Sequence, residues 1–573
     1  MRTLPRADAV IVGGGWAGLL MAKELGARTA LSVVVLERGG PHKASDYADG
    51  MDEVDYALRL RLMQDASRET VTFRPTAKHR ALPIRQFASF LPGTGIGGAG
   101  EHWNGMTPRF LPDCFEIHSR TVERYGAKRL PANHAVQDWG ITYRDLEPFY
   151  TRAEKLLGVS GKSGVSPFEG PRSAEYPTPP LKPAYFPALI ADAARSLGYH
   201  PAPMPSANLS TVYRNPDGIV RPPCQYCGFC ERFGCMVGAK AQPTNTLLPV
   251  IARHKSVTVR TGADARRVLH QDGKASGVLY RDAGGEEIFQ PADLVLLASW
   301  TLNNTRLLLL SQIGEPYDPA NGRGQVGRNL THQVNSRGVQ LFFDRPLNRF
   351  MGAGACGFTI QDLDGDCFDH TSLDFLRGAA VNVLALGYRP IASFGAVPPS
   401  VKATWGSAWK KAAMDAFDRV ANLGLNGEHI AYTTNYMDLD PTYRDVHGDP
   451  LLRLTMSWND SDRNMMRYII AKMSEVARAA GAREVSAPPL SPYDATTYRG
   501  THIQGGTIMG ASPATSVLNP WMQHWQMPNL FVLGASSFPQ NASGNPTLTI
   551  LAQTLRTADA LIGRYLPQPG PLM

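Results

Sequence analysis

No run of 18 or more apolar residues occurs in the 573-residue chain, so no segment is predicted to span a bilayer. Blocks of five or six like charges are missing too. The net charge of +8 is scattered, which argues against nucleic acid and leaves a mildly basic surface. The opening MRTLPRADAVIVGGGWAG lacks the long apolar core, small-residue cleavage site and twin-arginine pair of an export signal, so the chain is expected to carry no export address of its own. Internal repeats are absent. Cysteine is scarce, at seven residues, while 43% apolar and 19% charged residues are those of an ordinary globular protein long enough for several domains.

Four of the seven cysteines crowd into one stretch, RPPCQYCGFCERFGCMVGAK, as Cys224, Cys227, Cys230 and Cys235. Two nested C-x2-C steps followed by x4 come close to the bacterial run that wraps an iron–sulfur cluster. Zinc is the rival reading, although structural zinc sites usually set two such pairs well apart, and disulfides or free thiols stay open. Cys114, Cys356 and Cys367 are scattered and read as buried thiols.

The start of the chain carries a dinucleotide fingerprint. DAVIV (8–12) is a short β-branched run, and Gly13, Gly15 and Gly18 follow in G-x-G-x-x-G register ahead of the helix-like LLMAKELGA. A second strand then ends at Glu37, where an acid can meet a ribose hydroxyl. Gly13 allows the tight turn, Gly15 the approach of a pyrophosphate, and Gly18 close helix–strand packing. One such unit is present, and it does not by itself separate FAD from NAD. A later glycine stretch, LPGTGIGGAG (91–100), has no strand ahead of it and needs another explanation. SVTVRTG (256–262) and ADLVLLAS (292–299) read as strands beside the helical TLNNTRLLLLSQIG (301–314), and the Pro-rich 171–187 reads as an irregular surface excursion.

With GTGIGGAGEHWNG (93–105), VGRNLTHQ (326–333), GTHIQGGTIMG (500–510) and NLFVLGASSFPQNASGNPTLTILAQTLRTADAL (529–561), the fingerprint resembles the glucose–methanol–choline (GMC) oxidoreductases over nearly the whole chain. The cysteine cluster, the His102–Trp103 pair and NYMDLDPTYRDVHGDPLLRLT narrow the resemblance to gluconate 2-dehydrogenase flavoprotein subunits and related sugar dehydrogenases. The resemblance implies an α/β fold with a Rossmann-like FAD-binding domain and a sheet-based substrate domain. It divides the chain into 1–110, 220–335 and 500–573 for FAD, with an iron–sulfur loop at 222–240, and 111–219 and 336–499 for the substrate.

The same resemblance places a site. Gly95 and Gly98 belong to the loop that lies against the flavin ring, His102 is the expected point of a covalent flavin bond, and Asn104, Gly534 and Ala535 meet the cofactor. Flavin oxidation of an alcohol needs a base for the hydroxyl proton and a close acceptor for hydride. His502 matches the family's base and Asn545 its hydrogen-bonding partner, whereas two such residues 43 apart in an unrelated chain would be read as structural.

An iron–sulfur centre beside a flavin turns a two-electron oxidation into one-electron steps, which points to a dehydrogenase. The expected reaction is D-gluconate to 2-keto-D-gluconate, with a neutral sugar, polyol or glycoside oxidised at C3 as the alternative. A non-enzymatic electron relay and a soluble oxidase with structural zinc are the readings from other classes. By resemblance the cluster is a three-iron, four-sulfur one, although four cysteines also admit a four-iron cluster. The implied partners are a small signal-bearing companion subunit and a multihaem cytochrome c subunit, and the implied location is the periplasm, at the inner membrane through those partners.

Overall fold

The computed structural model describes residues 1–41, 65–85, 93–387, 394–487, 489–495 and 501–572. Positions 91–92 of the glycine stretch and the domain boundary at 500 lie outside these residues.

The β-branched runs build the first sheet. Its strands are β1 (Ala7–Val12), β2 (Val33–Leu36), β3 (Val257–Arg260), β4 (Asp264–Gln271), β5 (Lys274–Arg281) and β6 (Glu287–Leu297), in the order β4-β5-β6-β1-β2-β3. From β6 to β3 the strands are parallel, with Leu296 beside Ile11 and Val10 beside Val34. Val10, Ile11 and Val35 are fully buried, as expected of strands covered on both faces. The β4–β5–β6 portion is an antiparallel meander. Helix α1 (Trp16–Arg28) leaves from the glycine turn after β1, and α2 (Thr301–Leu310) follows β6. A short strand over Leu530–Val532 pairs parallel with β6 and brings the C-terminal segment to the same corner.

The second sheet is antiparallel. It orders β11 (Glu484–Ser486), β7 (Val334–Phe342), β10 (Val420–Gly427), β9 (Ala379–Leu386) and β8 (Gly352–Ile360), with Ala202–Pro203 at the far edge. Helix α3 (Asp460–Ala479) packs on β7 and β10, and the helix Tyr185–Ser196 packs on β8 and β9. Met465, Ile469 and Met473 recur at helical spacing and are buried on the sheet side. The strand VANLGLNG (420–427) alternates accordingly: Ala421, Leu423 and Leu425 are buried, and Asn422, Gly424 and Asn426 are less so, on the opposite face. Covering one face with helices leaves the other for a cavity.

The Pro-rich stretch runs without helix or strand up to Tyr185, where it enters a helix. Among the described residues no helix is long and apolar enough to cross a membrane.

Candidate active site

Glycines shape the dinucleotide corner. Gly13 turns the chain with φ +106°, and a Cβ there would lie 2.4 Å from the Ala298 carbonyl oxygen. At Gly18 a Cβ would lie 1.9 Å from the Gly13 carbonyl oxygen, so only glycine lets α1 press against the turn. Glu37, at the end of β2, accepts the backbone N–H of Gly14 and of Gly39 at 2.8 Å each and that of Gly95 at 3.2 Å. Gly97 N–H adds a further link, donating to the Gly14 carbonyl at 2.7 Å. The second glycine loop is thus clasped to the fingerprint, which explains a glycine run with no strand ahead of it.

A cavity of about 590 Å³ opens beside this clasp. Its wall includes Gly13, Gly15 and Glu37, then Gly98, His102 and Asn104, and also Gly534, Ala535, His502 and Asn545. Residues from four distant parts of the chain therefore meet at one place. Gly18 and Gly95 stand behind that wall, the first packing α1 and the second donating to Glu37.

His502 sits between two amides. Its Nδ1 lies 2.5 Å from Gln333 Oε1, and its Nε2 lies 3.1 Å from Asn545 Nδ2. The Gln333 amide nitrogen donates to the carbonyls of Ala542 and Ser543, so its oxygen is left to accept. An acceptor at Nδ1 requires the proton there and leaves the lone pair on Nε2. Burial pushes the His502 pKa down to about 4, so the imidazole is neutral in ordinary buffers. Asn545 Oδ1 is buried without a hydrogen-bond partner among the described residues. The Nε2 lone pair of His502 can abstract a hydroxyl proton, with the Asn545 amide beside it to orient the hydroxyl oxygen.

The cysteine loop is stitched to the segment carrying His102. Arg232 N–H donates to the His102 carbonyl at 2.7 Å, and Trp103 Nε1 to the Ala241 carbonyl at 2.7 Å. The fully buried Lys240 ammonium donates to the carbonyls of Trp103 (2.6 Å), Cys230 (2.9 Å) and Phe233 (2.8 Å). Cys230 is buried, Cys224 and Cys235 are half-buried, and Cys227 is exposed. Backbone N–H groups of Tyr226 and Lys240 point at the sulfurs of Cys224 and Cys235, at 3.4 Å each. Burial, with neighbouring thiols adding to it, pushes the Cys224 thiol up to about 12, and burial pushes that of Cys230 to about 11. Among the described residues no group of three or more His, Cys, Asp or Glu is arranged to hold a metal ion. The residue types alone match what an iron–sulfur cluster takes: four thiols that would deprotonate on binding iron, two N–H···S contacts and a buried ammonium.

Two contributors went unread in the sequence. Gln333 closes the VGRNLTHQ motif, and Lys240 closes the cysteine stretch, yet neither residue type signals its role without the fold.

A parallel-sheet dinucleotide corner opening on a histidine–amide pair defines a dinucleotide-dependent oxidoreductase. The GMC oxidoreductase model matches residues 189–335 through its N-terminal part and 431–554 through its C-terminal part. The chain is 41% identical to the gluconate 2-dehydrogenase flavoprotein of Pantoea cypripedii, over all of this chain and 96% of that protein. It belongs to the GMC oxidoreductase family, whose members bind FAD and oxidise alcohols. It is also 28% identical to 2-methyl-1,2-propanediol dehydrogenase of Mycolicibacterium austroafricanum, over 84% of this chain and 83% of that one. Identity to the fructose dehydrogenase large subunit of Gluconobacter japonicus is 26%, over 97% and 98%. Among solved structures, pyridoxine 4-oxidase from Mesorbium loti shares the fold, with a TM-score of 0.60, 18% identity and coverage of 99% and 100%.

Proposed function

We propose that this chain is the flavoprotein subunit of a dehydrogenase that oxidises D-gluconate to 2-keto-D-gluconate. The observation that carries the chemistry is the lone pair fixed on His502 Nε2 by Gln333, beside Asn545 on the wall of one cavity. The substrate follows the relative with 41% identity.

FAD fits that cavity. Gly13 and Gly15 would let its pyrophosphate approach, and Glu37, with three backbone N–H groups accepted, keeps lone-pair capacity for a ribose hydroxyl. When bound, FAD supplies the acceptor for the carbinol hydrogen and its electron pair. His502 Nε2 takes the hydroxyl proton, Asn545 orients the same oxygen, and Gln333 Oε1 stabilises the positive imidazolium through Nδ1–H. His102, buried on the cavity wall, is our candidate for a covalent flavin bond. Acid precipitation that frees all the yellow flavin into the supernatant refutes that bond.

Cys224, Cys227, Cys230 and Cys235 would hold an iron–sulfur cluster, with three irons favoured over four. When bound it supplies a one-electron carrier. Its support is the donor chemistry and the bonds between that loop and the His102 segment. A small companion subunit, a multihaem cytochrome c and a periplasmic location complete this reading, and they rest on resemblance to gluconate 2-dehydrogenases. A neutral sugar, polyol or glycoside is the second reading, favoured by the fructose and propanediol dehydrogenases among the relatives.

Anaerobic addition of D-gluconate, followed by optical and EPR spectra and by NMR of the product, tests the proposal. Flavin bleaching with a 2-keto acid formed supports it. Bleaching by neutral polyols alone moves the substrate to the second reading, and bleaching by neither overturns both. Rapid peroxide formation with bound zinc and no acid-labile sulfide points to the oxidase instead.

A further inference from the structure

The second sheet carries asparagine where strands normally avoid it. Asn335 on β7, Asn382 on β9, and Asn422 and Asn426 on β10 occupy three neighbouring strands, although asparagine is depleted from strands because its amide competes with the backbone. All four line the cavity that holds His502 and Asn545. Register groups them: Asn335 stands directly opposite Asn426, and Asn382 opposite Gly424, one pleat from Asn426. Asn422 and Asn426 are four residues apart on one face of β10, about 13 Å at the strand rise. The opposite face of the same strands presents Val339, Leu423 and Val383, each fully buried. Amides on this wall are therefore no accident of a polar surface.

Asn335 Nδ2 donates to Asn426 Oδ1 at 3.2 Å, which ties one pair together. Asn382 is 6% exposed, and its Oδ1 has no hydrogen-bond partner among the described residues. Asn545 Oδ1 is in the same condition. Two buried amide oxygens on one cavity wall are acceptors waiting for donors, and leaving such a group unpaired is costly. A ligand with several O–H groups along a chain supplies those donors. A carboxylate cannot, being an acceptor only.

We propose that Asn382, with the Asn335–Asn426 pair and Asn422, forms an amide rack that reads the hydroxyls on the carbons beyond the reacting one, and so sets specificity for a polyhydroxylated chain. This rests on the reading of His502 and Asn545 as the reacting centre. The rack also orients a sugar acid: its hydroxylated chain lies along the second sheet and its carboxylate points away from Asn382.

Steady-state kinetics of the flavin-loaded enzyme test the rack, with D-gluconate compared against 3-deoxy-D-gluconate. In Asn382→Leu, which replaces the amide by an apolar group of similar shape, kcat/KM for D-gluconate is expected to fall by roughly 10²-fold, the scale set by a lost substrate hydrogen bond in a buried site. The ratio of kcat/KM between the two substrates should shrink at the same time, because the deoxy analogue has less to lose. An equal fall on both substrates marks a structural residue and overturns the proposal, as does no fall on D-gluconate. Flavin content and Tm report folding, and if Asn382→Leu loses its flavin, Asn426→Ala carries the same comparison with the same two outcomes. If the wild-type enzyme oxidises neutral polyols and not D-gluconate, the sugar-acid reading fails separately, and the rack is tested on an active polyol and its deoxy analogue.

Discussion

Gln333 holds His502 by its Nδ1 at 2.5 Å, from a position 169 residues earlier in the chain. Because the Gln333 amide nitrogen is committed to the Ala542 and Ser543 carbonyls, its oxygen cannot change places with it without losing both bonds. The tautomer of His502 is thus set by a loop that also leads to Asn545. Gln333→Leu should lower kcat by about 10²-fold with flavin content unchanged, since it removes the group that selects the Nε2 lone pair. Gln333→Glu should keep more activity and move the acid limb of the kcat/KM profile to higher pH, because a carboxylate there favours the imidazolium. Profiles that coincide with wild type would remove Gln333 from this role.

The pH dependence of the wild type follows from burial of His502, which holds its pKa at about 4. If His502 is the base, as proposed, it is lost only when the ring takes a proton, so kcat/KM should be flat above about pH 5 and fall tenfold per unit below about pH 4. His502→Ala should lower kcat by at least ~10²-fold and abolish that limb. A wild-type limb near the ordinary histidine value of ~6.5 would mean that the ring is solvated in the working enzyme.

These relationships show which parts of the molecule were legible in advance. The fingerprint from Asp8 to Glu37 is local: a strand, a glycine turn, a helix and a second strand within one short segment, so spacing alone conveys it. The pairing of His502 with Asn545 was suggested only by family motifs, because the contact between them is made by the fold. Gln333 was inside a quoted motif and still unread, since glutamine has no chemistry that announces an orienting role. The asparagine rack depends on the register of β7, β10 and β9, three strands far apart in the chain, and pairing of that kind leaves no trace in spacing.

Lys240 offers a separate test of the cysteine loop. Its ammonium is fully buried and satisfies three carbonyls, two from the cysteine loop and one from Trp103 beside His102. Lys240→Met keeps an unbranched side chain one atom shorter and removes every one of those donors. Each carbonyl left unpaired costs about 1–3 kcal/mol, so the variant should unfold at clearly lower temperature. Iron and acid-labile sulfide should also fall together per mole of flavin, because the loop loses its anchor and its offsetting charge. Retention of wild-type Tm and iron content would show that the three bonds do not hold the loop.

Asp462 gives an independent stability test. It caps α3 by accepting the Asn459 N–H at 2.8 Å, and full burial pushes its pKa from 3.8 up to about 7. Its neighbour His429, with Nε2 at 3.7 Å, does not relieve this, since burial drives that imidazole down to about 3 and keeps it neutral. A raised acid pKa means that the folded state holds the proton more tightly than the unfolded one. Its contribution is therefore complete below about pH 4 and is lost as pH rises through 7, amounting to roughly 4 kcal/mol at ~1.4 kcal/mol per unit. Asp462→Asn retains an oxygen to accept the Asn459 N–H and carries no proton to lose. The Tm of Asp462→Asn relative to wild type should thus climb between pH 4.5 and pH 8 in scanning calorimetry. A difference independent of pH would show that the carboxyl is ionised, or solvated, in the folded protein.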